Sequence, residues 1–312
     1  MIEGEELTQG GAGRPDDIKA VPVRRPGRWI GVFVTLIVCA SLVRFAVTDK
    51  AVGWHTVGQY LFDHRIVHGA IVTMYLSVIA MVIGIVLGVL LAVLRLSPNP
   101  VLRSVSWVYI WFFRGTPLFV QITFWWSITA LFPNHVINLG IPFGPALFHP
   151  DANAIITVLV AGILGLGFNE GAYMAEIVRA GIISVPEGQT EAAASLGMSR
   201  VQVMRRVVLP QAMRVIIPPT GNEFISMLKN SSLVSTIGVG ELFFAGTSIY
   251  SVNYETVQLL IVVSIWYLAM TSVLYVGQYF LERKFGQGFS RAQQTPLALR
   301  WLSLRRRGRG YA

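Results

Sequence analysis

An all-α, polytopic membrane protein with about six transmembrane helices is the fold class this sequence predicts. Hydrophobic residues make up 54% of the 312 and charged residues only 13%, far from the balance of a soluble domain. Runs of eighteen or more mostly apolar residues recur, the length a helix needs to cross a bilayer with its backbone hydrogen bonds satisfied internally. The basic residues behind the net charge of +9 are also sorted by segment. Residues 132–152 and 231–254 hold no Lys or Arg, whereas the N-terminal arm, the C-terminal tail and the region around 179–214 are rich in them. That asymmetry is the positive-inside pattern, with anionic lipid as the incidental partner, and it excludes a nucleic-acid role.

Taken in order, residues 1–28 are polar, Gly-rich and mixed in charge and read as a disordered, basic cytoplasmic arm. The apolar stretch 29–48 starts late and lacks a small-residue cleavage pattern, so it reads as a retained span and not as a signal peptide. The second span is expected at about 66–94, with Gly84 and Gly88 at the spacing that lets helices approach closely. A turn at 95–103 leads to a third span at 104–131, rich in Trp and Phe. The fourth is expected at 153–177, the fifth at 212–233 and the sixth at 254–281, followed by a basic cytoplasmic tail, 283–312. With basic segments inside, both termini fall in the cytoplasm, and the loops 48–65, 132–152 and 234–253 fall outside. The fifth span holds Pro218, Pro219, Asn222, Glu223 and Lys229. Lipid would not tolerate them, but a helix lining a wet cavity would.

Residues 186–210 form the most polar insert between spans. Glu187, Gln189, Glu191, Arg200, Gln202, Arg205 and Arg206 exclude it from lipid. Pro186 suits a first helical turn, Ala192, Ala193 and Ala194 favour helix, and Gly197 suits the left-handed position past a helix end. Ser199 with Gln202 reads as a capping box opening a second helix, which Pro210 is expected to close. Two short helices with a smooth alanine face make a socket for another protein.

This stretch resembles the cytoplasmic EAA motif of permease subunits of ATP-binding-cassette importers, on Glu191, Ala192, Ala193, Gly197 and Val207-Val208-Leu209-Pro210. From Gly69 to Arg291 further blocks follow in family order: Gly69–Ser77, Arg114-Gly115-Thr116-Pro117-Leu118-Phe119-Val120-Gln121, Ala172–Arg179 and Leu228–Leu233. They are similar to the polar amino-acid (histidine/glutamine/arginine-type) group of that family. The resemblance implies a five-helix importer core, residues 66–282, with one extra N-terminal helix. It also implies two separate ATPase subunits, an extracytoplasmic substrate-binding protein, a second permease copy or sister permease, and a place in the bacterial plasma membrane. Asn230 stands where many members carry Asp, so the motif does not fix the substrate's charge.

The expected ATPase-coupling residues are Glu191, Ala192, Ala193, Gly197, Leu209 and Pro210. For the substrate pathway the candidates are Asn169, Glu170, Tyr173, Glu176, Asn222, Glu223, Lys229, Asn230 and Ser231. A zwitterionic amino acid needs a cation or donor for its carboxylate, which Lys229 and nearby hydroxyls offer. It needs an acceptor for its ammonium group, which Glu170 or Glu223 offers. Structural roles compete with these: Glu176 and Arg179, three apart, fit an ion pair with one another. Arg114, Gly115, Thr116 and Pro117 read equally as a gate or as a simple kink, with Arg114 then anchored at the cytoplasmic surface.

No phosphate-cradling Gly-x-x-x-x-Gly-Lys-[Ser/Thr] run occurs, so the chain is expected to be no enzyme and to carry no cofactor, with ATP hydrolysis in a partner. The histidines lack metal-ligand spacing, and the single cysteine, Cys39, lies in the first span. The alternative reading is an ion-coupled secondary transporter, which predicts inverted repeats and leaves the hairpin unexplained.

Overall fold

The computed structural model describes residues 26–48, 52–132, 139–140, 146–148 and 151–285. The expected arm before Pro26, the tail after Phe285 and most of the 132–152 loop lie outside the described residues. The chain divides into two units, Met1–Gly53 and Trp54–Ala312. In the first, α1 (Pro26–Thr48) is a 23-residue apolar helix with proline at its start, where the missing N–H leaves no hydrogen bond unmade.

The regular structure among the described residues of the second unit is helical apart from a two-stranded antiparallel ladder, β1 (Leu139–Gly140) with β2 (Ala146–Phe148). A short α2 (Trp54–Tyr60) leads into α3 (His64–Arg95), which Asp63 caps by accepting from the Arg65 N–H at 2.9 Å. Asn99 does the same for α4 (Pro100–Gly115). Then come α5 (Leu118–Ser127), a one-turn α6 (Ala152–Ile155) and α7 (Val158–Ile183), capped by Thr157. The hairpin is α8 (Glu187–Ser195) and α9 (Arg200–Val203), which runs through a π-turn, Met204–Val208, into α10 (Leu209–Asn230). A 3₁₀ segment (Ser231–Ile237), α11 (Leu242–Asn253) and α12 (Thr256–Phe285) complete the unit.

Among the described residues, α3, α7 and α12 are long and apolar enough to cross a membrane. Arg200–Ile237 with Leu242–Asn253, bent by 46°, passes as one broken span. Three expectations are corrected. The third span is not one helix: Thr116 and Pro117 are extended and split it into α4 and α5, because Pro117 has no N–H and disfavours helix at the residue before it. The 234–253 segment is not a loop but mostly α11, whose Leu242, Ala245, Gly246 and Ile249 are buried. Its apolar residues recur at helical spacing, a signal that the missing basic residues obscured. Pro210 does not end a helix either; it stands in the first turn of α10, where its absent donor costs least.

The frame is the pairing of α3 with α7. A Cβ at Gly84 would lie 2.5 Å from Glu170 Cγ, and one at Gly88 would meet Met174 Cβ. In return, Gly167 and Gly171 receive Ile83 and Leu87, each 2.9 Å from a would-be Cβ. In lipid, where apolar burial drives little, such close backbone approach and the dispersion it gains hold helices together. Large apolar side chains face outward instead, as with Trp111, 63% exposed, and Leu268, 68% exposed.

Three buried clusters stack along the frame. At one end Val57, Ile66, Ala70, Leu242, Ile249 and Leu259 join α2, α3, α11 and α12. In the middle Leu76, Ala80, Ile122, Leu166, Met227 and Val234 join α3, α5, α7 and α10 to the 3₁₀ segment. At the hairpin end Ala92, Val178, Val185, Val208, Ala212 and Ile216 seat the hairpin on α3, α7 and α10.

Candidate functional site

The break between α4 and α5 opens a recess of about 490 Å³, lined by Arg114, Gly115, Thr116, Pro117, Leu118, Asn169, Glu170, Tyr173, Glu223, Asn230 and Leu233. Ending α4 at Gly115 leaves backbone carbonyls without helical partners. Gln121 supplies them: its amide donates to Phe113 O at 2.9 Å, Thr116 O at 3.1 Å and Thr116 Oγ1 at 2.7 Å. Asn169 on α7 donates to Phe113 O at 2.9 Å and to Gln121 Oε1 at 3.2 Å. The broken helix is therefore pinned open by two amides, and its Gly-Thr-Pro backbone becomes part of the wall.

Arg114 lies fourteen residues into α4, about 21 Å along it at 1.5 Å per residue. Its guanidinium sits over the Tyr173 ring, 5.1 Å from the centroid, a cation–π contact that fixes a charge without neutralising it. Glu170 is 5% exposed, and among the described residues its Oε1 has no hydrogen-bond partner. Gly84 leaves the room this side chain occupies. Glu223, half-buried on α10, lines the same recess. The cavity thus holds two carboxyl groups, one guanidinium, two side-chain amides and a phenol.

Asn169, Glu170, Tyr173, Glu223 and Asn230 line it as expected pathway candidates, together with Arg114–Pro117. Four other candidates do not. The Glu176 carboxylate accepts from Arg179 Nη2 at 2.7 Å and Nε at 3.0 Å, and it borders an adjoining depression with Arg114, Tyr173 and Glu223. Asn222 is exposed and lines neither. Lys229 faces a separate recess of about 300 Å³ with Ser232, Phe243 and Tyr267. Ser231 is fully buried and donates to Leu228 O at 2.7 Å. Successive helical residues are about 100° apart, so neighbours in one motif cannot all face one cavity. Gln121 was missed, although an amide in an apolar run at the end of the Arg-Gly-Thr-Pro block signals a buried polar tie.

The hairpin is built as its sequence implies. Gly197 adopts φ +77° and donates to Ala194 O at 2.9 Å, while Met198 donates to Ala193 O at 3.2 Å, a Schellman ending. Ser199 and Gln202 exchange both capping-box hydrogen bonds, at 2.8 and 3.4 Å. Ala193 is buried; Glu191, Ala192, Leu209 and Pro210 are exposed. Leu196 is 83% exposed and Val201 74% exposed, apolar side chains displayed on an otherwise polar element. The π-turn beyond it closes through Leu209 N–H to Met204 O.

Residues 84–287 match the family model for binding-protein-dependent transport system inner membrane components. The arginine transport system permease protein ArgU of Corynebacterium glutamicum is 45% identical over 291 residues, 92% of this chain and 90% of that protein. The glutamine transport system permease protein GlnP of Escherichia coli K12 is 33% identical over 219 residues, 70% of this chain and 92% of that one. A crystal structure of an amino acid ABC transporter with histidines matches with a TM-score of 0.60 at 35% identity, covering 70% of this chain and 94% of that one. An inward-facing MetNI methionine ABC transporter shares the fold, with a TM-score of 0.55 at 19% identity.

Proposed function

The chain belongs to the family of binding-protein-dependent transport system inner membrane components, and from that premise we propose that its recess passes a cationic amino acid of the arginine type. The protein is a multi-pass membrane permease subunit of an ATP-driven amino-acid importer. Its partners are an ATPase and a substrate-binding protein.

The observation that carries the substrate reading is Glu170, a buried carboxyl group with an unpartnered oxygen on a cavity wall that also holds Glu223. A buried acceptor without a donor costs about 1–3 kcal/mol, and a guanidinium or ammonium group entering the recess relieves that cost. Arg114 and the amides offer donors for the carboxylate end of the same molecule. The 45% identity to a permease named for arginine supports the choice.

Coupling runs through the hairpin. Two ATPase subunits sit against Glu191, Ala192 and the exposed Leu196 and Val201, and their closure is carried through the π-turn into α10, whose Glu223 and Asn230 line the recess. A second permease copy or a sister permease completes the pore. Six spans place both termini and the hairpin in the cytoplasm of a bacterial inner membrane, with the binding protein on the opposite side.

The test is uptake into vesicles by the chain assembled with its ATPase and binding protein. ATP-dependent uptake of arginine or lysine, with weak competition by glutamine and none by glutamate, is the expected result. Preference for glutamate overturns the substrate reading, and uptake without ATP overturns the function. Gly197→Asp and Glu191→Lys abolish uptake while leaving membrane insertion intact; normal transport by both removes the hairpin from coupling.

A further inference from the structure

Outside the recess, the most heavily engaged buried polar group among the described residues is Glu241. It was expected in an exterior loop, yet it is fully buried at the start of α11. Its Oε1 accepts from Phe244 N–H at 2.8 Å. Its Oε2 accepts from Phe243 N–H at 2.9 Å, from the Tyr267 hydroxyl at 2.8 Å and from the Thr73 hydroxyl at 3.3 Å. Thr73 Oγ1 in turn accepts from Leu242 N–H at 3.1 Å. One side chain therefore joins α3, α11 and α12, and no Lys or Arg contact to it occurs among the described residues. A helix N-terminus and hydroxyl donors are the remaining means of keeping such a group buried.

Its position gives the contact a consequence. Glu241 ends the interruption in the broken span, after the 3₁₀ turn and Gly238 at φ +90°. The other end of that interruption is Ser231; Lys229 and Ser232 on either side of it line the same small recess as Tyr267, and the residue before it, Asn230, lines the main recess. Tyr267 is thus bonded to one end of the interruption and lies beside the other, next to the Asn230 wall.

Resting on the importer reading, we propose that Glu241 is a positioning residue for transport: through Tyr267 and its own tie to α3 it fixes the break in the span and so places Asn230 at the recess. Glu241→Gln tests this with little change of volume, since an amide keeps one acceptor oxygen and turns an NH₂ toward donors that face the other. Tyr267→Phe removes a single O–H and keeps the rest.

In vesicles containing the full assembly, Glu241→Gln raises the half-saturating substrate concentration about tenfold or more, and Tyr267→Phe about threefold. The maximal rate per inserted transporter falls less in both. In an Asn230→Ala background the Glu241→Gln effect disappears. A second measurement does not depend on transport: with Cys39→Ser and Asn230→Cys, Glu241→Gln changes the labelling rate of the introduced thiol by at least threefold. Unchanged labelling, or variants that lower only the amount of inserted protein, overturns the proposal. Should Glu241→Gln fail to insert, Tyr267→Phe carries the same test, and an unchanged half-saturation and labelling rate there overturns it. Failure of the parent assembly to transport counts against the importer reading alone, because the labelling result stands apart from it.

Discussion

The α3–α7 pair and the interrupted elements around it use opposite packing logic. In α3 and α7, glycines at i, i+4 bring two unbroken helices into backbone contact, and the backbone polar groups between their ends are paired inside each helix. In α4–α5 and α10–α11 the helices stop, freeing carbonyls that the Gln121 amide donates to and N–H groups that the Glu241 carboxylate accepts from. The continuous pair supplies rigidity. The interrupted elements add opened backbone, Arg114, Thr116, Glu223 and Asn230 to the recess, facing Asn169, Glu170 and Tyr173 on the continuous α7.

The contrast is broken most severely at Gly88. Gly88→Leu drives a side chain into Met174 across the helix pair and costs about 3 kcal/mol, so folded yield and melting temperature in detergent drop sharply. Gly115 is its counterpart in the interrupted region: nothing lies within 4 Å of its would-be Cβ. Gly115→Ala leaves the melting temperature within the small range of a surface change, about 0.5 kcal/mol. Equal sensitivity at both positions would erase the distinction.

Next in size is Glu170→Gln, which removes the unpartnered carboxyl from the recess without disturbing the pair. Half-saturation for a cationic substrate rises thirtyfold or so, about 2 kcal/mol for a charged hydrogen bond, with stability unchanged or improved. A loss of stability with unchanged affinity would move Glu170 from the chemistry to the frame.

Gln121→Ala follows. It strands the Phe113 and Thr116 carbonyls and costs about 1.5 kcal/mol, visible as faster hydrogen exchange at Leu118–Gln121 before any global unfolding. The smallest effect lies at the start of α3. Arg65 beside Asp63 holds that carboxyl below the usual carboxylate range. A group lowered on folding adds stability above its unfolded value, near pH 4, and the benefit is lost as pH falls through the lowered value. Asp63→Asn keeps the cap but loses the ion pair, so the variant melts less than 1 kcal/mol below the parent at pH 7. The gap narrows as pH falls below about 4 and closes only below the lowered value, and a constant gap would separate the cap from the charge.

Much of the recess was legible because polar residues in an apolar run advertise themselves. Asn169, Glu170, Tyr173, Glu223 and Asn230 stood out for that reason and line it. Their motif neighbours Asn222, Lys229 and Ser231 stood out equally and face elsewhere, since rotation about the helix separates residues that the sequence lists side by side. Glu241 was hidden by its setting in a segment without basic residues, where an acidic residue looks like an exterior loop.

By itself, then, the sequence determined the membrane class, the helical hairpin with its glycine turn and capping box, and the family. Those depend on composition and on contacts a few residues apart. The tertiary structure alone decided which polar residues share a cavity, that Pro117 breaks one helix while Pro210 starts another, and that Glu241 is a buried tie between three helices. Those depend on which faces meet across helices far apart in sequence, and short-range pattern does not encode that.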